Sequence, residues 1–311
     1  MVAPVTETGH RPVLLEETLA ALAIREEGVY VDCTFGRGGH ASQLLRRLGE
    51  GGRLVAIDRD LQAVALARSM AEADPRLSVV HGAFDRLQSV VESLQLHGRI
   101  NGVLFDLGVS SPQLDDATRG FSFMRDGPLD MRMDSSGGQT AAEWIAQASE
   151  SAIADCLHHY GEERHARRIA RAIVAARRSQ SISTTSQLAA IVARAHPAWQ
   201  HGQHPATRTF QAIRILINDE LNMLKRGLVQ ALEVLAVGGR LLVISFHSLE
   251  DRIVKQFMRR ESGKAGDELR LPATRAARLR SIGKAIRPNY IEVAENPRAR
   301  SAVLRVAEKL A

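Results

Sequence analysis

Val29-Tyr30-Val31-Asp32-Cys33-Thr34-Phe35-Gly36-Arg37-Gly38-Gly39-His40, continued by Ala41 to Leu48 (ASQLLRRL), is the stretch on which the fold turns. Its β-branched and aromatic opening reads as a buried strand over about 29–33. A tight loop over 34–40 follows, then a helical pattern over 41–48 with Leu44, Leu45 and Leu48 on one face. Glycines between strand and helix permit a sharp turn and close approach of a ligand to the backbone. The N–H groups opening the helix would face that ligand. The spacing is not G-x-G-x-x-G, so a turn that serves only strand-to-helix packing stays open. The next strand, Arg53 to Ile57, ends in Asp58, 22 residues after Gly36. A carboxylate at that distance, at the tip of the second strand, can accept both hydroxyls of a ribose. Together the two features describe a site for a nucleoside cofactor.

The 311 residues suffice for two domains, and 45% hydrophobic with 24% charged residues is the balance of an ordinary soluble protein. No run of about 18 apolar residues exists, so no membrane span is expected. The first residues lack the charged head and apolar core of a signal peptide, and a cytoplasmic location is the expectation. Cys33 and Cys156 read as small buried residues rather than a disulfide. The net charge of +6 suits a polyanionic partner, although a generally basic, arginine-rich proteome would give the same figure. With aromatics at only 4%, a base-stacking sheet of the RRM kind is not supported.

Along the chain, a helix over His10 to Leu22 precedes the first strand. Helices over Ala63–Ala73 and Leu87–Leu96 alternate with strands over Leu77–Val80 and Ile100–Leu104. Such alternation implies right-handed crossovers and a parallel sheet covered on both faces. Ligands of these sheets bind at the carboxyl ends of the strands, which here carry Gly36–His40, Asp58, Phe84 and Asp106. After Asp106 the alternation stops. Residues 108–138 read as one long loop, too rich in Phe121, Phe123, Met124, Leu129, Met131 and Met133 for a solvated linker, and 119–134 is expected to order as a lid over the cofactor. Helices are expected over Ala141–Ala148, Ser151–Tyr160, Glu162–Arg178 and Thr185–Ala195, forming an all-α insertion. The arginines of the third could grip a phosphate backbone or simply face solvent. A single long helix is then expected over Thr209–Leu235, a strand over Arg240–Phe246, a basic irregular stretch over Arg270–Arg287, and a closing pair of strands over Tyr290–Val293 and Ala302–Val306. The domain division is accordingly 1–112, 113–208 and 209–311, the first and last forming one α/β domain around the insertion.

Several chemistries drop out. No G-x-S-x-G elbow exists, and the first loop lacks the G-K-[ST] of a P-loop. His196, His201 and His204, near Trp199, lack cysteine partners and helical spacing, and His158-His159 read as a helix face, so no metal is expected. Of the nucleoside cofactors, NAD favours a third glycine two residues beyond the second, whereas Gly38 and Gly39 are adjacent. S-adenosylmethionine has no pyrophosphate and is not bound by that rule.

Five further segments carry a resemblance: Asp32–His40; Asp106-Leu107-Gly108-Val109-Ser110-Ser111-Pro112-Gln113-Leu114-Asp115; Gly120–Phe123 with Asp130–Met133; His204–Gln211; and Ser245-Phe246-His247-Ser248-Leu249-Glu250-Asp251-Arg252. They closely resemble the bacterial ribosomal RNA small-subunit methyltransferase H (MraW) family, from about His10 to Glu308, with 262–287 least alike. The resemblance implies a class I (Rossmann-like) methyltransferase fold, with a mostly parallel seven-stranded sheet, helices on both faces and an inserted all-α domain. It implies S-adenosyl-L-methionine held by Gly38, Gly39, His40, Asp58, Phe84, Asp106 and Gln113, with Gln113 known from the family alone. It also implies N4-methylation of a cytidine in 16S rRNA of the small ribosomal subunit. Either Asp106 or backbone carbonyls near Ser110–Pro112 could accept from the amine and position it. A non-catalytic RNA-binding assembly factor and a methyltransferase acting on another base or on protein stay open, as does a homodimer.

Overall fold

The computed structural model describes residues 12–197, 204–263 and 276–310. His10, Trp199, His201, Arg270 and Arg275, all part of the sequence reading, lie outside the described residues. In chain order the elements begin α1 (Leu15–Leu22), β1 (Val29–Asp32), α2 (Gly39–Leu45), β2 (Arg53–Asp58), α3 (Leu61–Ala73), β3 (Leu77–His81), α4 (Leu87–Ser93) and β4 (Ile100–Asp106). A run of helices follows: α5 (Ser111–Asp115), α6 (Ala141–Gln147), α7 (Glu150–Gly161), α8 (Ala166–Ser179), α9 (Thr185–Ala195), α10 (Ala206–Ile217) and α11 (Glu220–Val234). The chain closes with β5 (Leu235–Ser245), α12 (Ser248–Glu261), β6 (Leu279–Ser281), α13 (Tyr290–Glu295) and β7 (Val303–Lys309). Two compact units result, one from Met1–Gly108 with Leu221–Ala311, the other from Val109–Glu220. No helix among the described residues is long and apolar enough to cross a membrane.

In the first unit seven strands form one sheet in the order β3-β2-β1-β4-β5-β7-β6. The pairs from β3 through β5 are parallel, and β7 runs antiparallel to both β5 and β6. This is the class I arrangement that the resemblance implies. Both faces are apolar because alternate residues of each strand point to opposite sides. Val29, Val31, Val55, Ile57, Val103, Phe105, Leu241 and Val243 pack with Leu87 and Val91 of α4, Leu224, Leu228 and Leu232 of α11, and Val254 and Phe257 of α12. Tyr30, Leu54, Ala56, Leu104, Leu242 and Ile244 pack on the other face with α1, α2 and α3 through Leu15, Leu19, Leu22, Leu44, Leu45, Ala63 and Ala67. Two cores on one sheet hold its carboxyl edge still.

The second unit has its own core. Ile145, Ile153, Leu157, Ile169, Ile173, Leu188, Val192, Phe210 and Ile213 come from α6 to α10. Phe121, Leu129, Met131 and Met133 of the expected lid join the same cluster. The stretch 108–138 is therefore not one structureless loop: it holds α5 and a short 3-10 turn at Ala117–Arg119. The buried side chain of Asn218 secures it. Its Oδ1 accepts the Met133 N–H at 2.8 Å, and its Nδ2 donates to the Met131 carbonyl at 2.7 Å. Met131 sits at φ 64°, a left-handed conformation that a methionine keeps only under such constraint.

The expected helix over Thr209–Leu235 is two helices. Asp219, at φ 48°, ends α10 and redirects the chain into α11. Tyr290–Val293 is part of helix α13 and not a strand, because Asn289 caps its start by accepting the Glu292 N–H at 2.9 Å. The partner of β7 is instead β6, three residues within the stretch read as irregular. Only Leu279 of β6 is buried, so no alternation marked it.

Asn218→Leu keeps the side-chain volume and removes the hydrogen bonds to Met131 and Met133. It is expected to cost about 1–3 kcal/mol in urea unfolding. Limited proteolysis should then cut faster within 119–138 than in wild type.

Candidate functional site

The site lies in the first unit, on the carboxyl edge of β1, β2 and β4. After β1 the chain turns through Gly36 at φ 56° and Gly38 at φ 72°. A side chain at Gly38 would strike the Phe35 ring at 2.6 Å, and one at Gly39 would strike Pro12 at 2.3 Å. The turn is thus locked to glycine by conformation and by crowding. It is pinned from β2 as well: Asp58 Oδ2 accepts the Gly36 N–H at 2.8 Å, and Asp58 Oδ1 accepts the Asp60 N–H at 2.8 Å. Asp58, expected from the sequence to bind a ribose, therefore also shapes the glycine loop.

Asp32 and Asp106 end adjacent parallel strands. Thr34 links them: its N–H donates to Asp32 Oδ1 at 3.1 Å, and its Oγ1 accepts the Asp106 N–H at 2.6 Å. Asp32 is buried, at 2% exposure. Burial raises its carboxyl to about 7, against the Thr34 hydrogen bond and with help from the charge of Asp58. Asp106 is recessed, with 27% of its side chain exposed, yet its Oδ1 is covered and has no hydrogen-bond partner among the described residues. Desolvation and the charges of Asp32 and Glu250 raise it to about 8. Burial raises Asp58 too, opposed by the two backbone N–H groups it accepts.

His40, expected to touch the cofactor, is also held by contacts within the chain. Its ring is 6% exposed. Nε2 lies 3.2 Å from the Val13 carbonyl, which can only accept, so Nε2 carries the proton. Nδ1 then presents a lone pair to Asp106 Oδ2, 3.6 Å away. Burial lowers the imidazole to about 4, so the ring stays neutral and does not neutralise the acid beside it.

Phe84 stands half-buried after β3, edge-on to Phe105 with ring centroids 5.3 Å apart. Room for it depends on Gly227 of α11, where a Cβ would come within 2.8 Å of the Phe84 ring. Gln113 belongs to the second unit. There it is buried, and its Oε1 accepts the Ser110 N–H at 2.9 Å in a capping box that starts α5. The structure thus brings Gly38, Gly39, His40, Asp58, Phe84 and Asp106 onto one edge of the first unit.

Sequence reasoning did not single out Asp32 and Glu250 as site groups. An acid closing an otherwise apolar strand was the available signal for Asp32. Glu250 is 2% exposed and accepts the Phe246 N–H at 2.8 Å through Oε2, within the segment that starts α12. Only the fold brings its charge to bear on Asp106.

Glycine-lined backbone, a ribose-competent carboxylate, an aromatic face and an acid with a covered, unpartnered oxygen fit a nucleoside that carries positive charge. Against known families, the chain matches the model of the MraW methylase family over residues 7–310. Among solved structures it is similar to an rRNA methylase from Streptococcus thermophilus, at 12% identity and TM-score 0.43, covering 97% of this chain and 98% of that one. It is similar too to a Streptococcus mutans protein described as a methyltransferase in complex with SAH, at 12% identity and TM-score 0.44, covering 97% and 100%.

The raised acids set a pH dependence. Above pH 6.5 the folded carboxyls of Asp32 and Asp106, at about 7 and 8, hold protons that the unfolded chain has released. Folding then takes up protons, so stability falls as pH rises through 6.5–8. Below 6.5 the depressed His40 acts in the opposite sense, since the unfolded chain gains its proton first. Thermal melts of the ligand-free protein are expected to show the decline between pH 6.5 and 8, and Asp106→Asn should make it shallower.

Proposed function

Since the chain belongs to the MraW methylase family, we propose that it transfers the methyl group of S-adenosylmethionine to the exocyclic N4 amine of a cytidine in 16S rRNA, in the decoding region of the small ribosomal subunit. That substrate places it in the cytoplasm. The observation that supports this reading best is the acid cluster on the carboxyl edge. Asp106 has a covered oxygen without a partner and two acidic neighbours, an environment that a sulfonium and a developing ammonium would relieve.

S-adenosylmethionine supplies an electrophilic methyl on a positively charged sulfur. Asp58 would hold the ribose hydroxyls, Phe84 would cover the adenine, and the Gly36–Gly39 backbone would lie along the amino-acid end. Gln113, from the second unit, is assigned to the same ligand by the family resemblance alone. The cytosine amine is a poor nucleophile because its lone pair is delocalised into the ring. Alignment of that amine is therefore the main catalytic device, and the base must first leave its stack. When the nitrogen takes the methyl, the sulfur leaves as a neutral thioether and the nitrogen must lose a proton. Ionised Asp106 accepts it in this scheme. His40, held neutral and fixed to Val13, stands beside Asp106 without quenching its charge.

The direct test incubates the purified protein with labelled methyl donor and undermethylated small subunits, then digests the RNA to nucleosides. Label in N4-methylcytidine is expected; label in another nucleoside or in protein would overturn the assignment. Asp106→Asn is expected to lower kcat by about 100-fold or more. An unchanged kcat with only weaker cofactor binding would remove Asp106 from the acceptor role. Calorimetry in buffers of different ionisation heat should show proton release on S-adenosylmethionine binding at pH 7, because a cation beside Asp106 and Asp32 favours their ionised forms.

A further inference from the structure

Helix α13 buries none of its six residues. Tyr290 is 87% exposed and Ile291 66%. The helix's place in the fold is informative. Strand β7 runs antiparallel to β5, so its first residue, Val303, pairs with Ser245, the last residue of β5. The segment leading into β7 is thereby delivered to the carboxyl edge, the edge of Asp106 and Asp58. It is firmly held there. Asn289 caps α13, and Glu292 Oε1 accepts the Leu14 N–H at 2.7 Å. The neighbouring Val13 carbonyl is the one that fixes His40.

The surroundings of Tyr290 are basic. Lys284, Arg287, Arg298 and Arg300 are exposed, against exposed Glu295, while Glu292 is engaged by Leu14. An isologous contact with a second copy would tend to bring these like charges together, which disfavours that occupant. A polyanion with exposed ring faces matches both the charge and the aromatic surface.

We propose that α13 is a stacking platform for the RNA substrate: Tyr290 takes the face of an unpaired base beside the target cytidine, while Lys284 and Arg287 hold adjoining phosphates. The inference rests on the rRNA reading above. It follows from the reaction itself, because a base drawn out of its stack leaves a neighbouring ring face uncovered, and an aromatic side chain can replace the lost stacking.

The test measures equilibrium binding of the full-length protein to undermethylated small subunits, with methyl incorporation and S-adenosylmethionine calorimetry run beside it. Tyr290→Ala is expected to weaken subunit binding about tenfold, and Tyr290→Phe to restore it. Cofactor affinity should not change in either variant, which establishes that the edge is intact. Lys284→Ser with Arg287→Ser should lower the slope of log affinity against log salt by about 0.7–1 per charge, whereas Tyr290→Ala should leave the slope alone. Binding by Tyr290→Ala within twofold of wild type would overturn the proposal. So would sedimentation showing a wild-type dimer that Tyr290→Ala dissociates, which would assign the patch to a second copy. Wild-type binding without methylation would overturn the enzymatic reading and leave the Tyr290 comparison to decide the platform. Absence of any wild-type binding would overturn both.

Discussion

Carboxyl groups at the ends of neighbouring parallel strands repel one another, and removing them from water makes the repulsion worse. Asp32, Asp58 and Asp106 are held in that situation by the sheet, since β2, β1 and β4 stand side by side and each ends in an acid. The cost is tolerable because backbone N–H groups and Thr34 share the load on Asp32 and Asp58. Asp106 receives a lone pair from His40 instead of a donor. The protein thus keeps one acid undersupplied on purpose-built scaffolding, and the two apolar cores above and below the sheet supply the rigidity that prevents relaxation.

The helical unit follows a different logic. Its apolar core recruits the stretch that the sequence leaves looking like a loop, and one amide side chain, Asn218, sets the conformation of Met131. Buried polar groups of this kind give a unique arrangement because no alternative packing satisfies them.

Local residue order carried a great deal of this architecture. Val29–His40 announced strand, glycine turn and helix, and Asp58, Phe84 and Asp106 were found where strand ends were expected. What escaped was set at a distance. Tyr290-Ile291-Glu292-Val293 has the composition of a strand, but Asn289 supplies a cap and the segment folds as α13. Leu279 alone gives β6 an inward face, and three residues are too few for a period. The break at Asp219 shows as a positive φ in a residue that is unremarkable inside a helical pattern. Glu250 is far along the chain from Asp106, and only the pairing of β4 with β5 makes the ends of those strands neighbours. The hold on His40 escaped for a similar reason: its partner, Val13, lies before β1 and has no motif of its own.

The ring of Phe84 occupies space that exists because residue 227 has no side chain. The two positions are complementary volumes contributed by segments far apart in the chain. As relatives diverge, substitution at one is constrained by the other: a methyl group gained at 227 requires a smaller or displaced group at 84. The placement of the Phe84 ring is thereby written partly into α11, a helix that would otherwise be read as nothing more than support for the sheet.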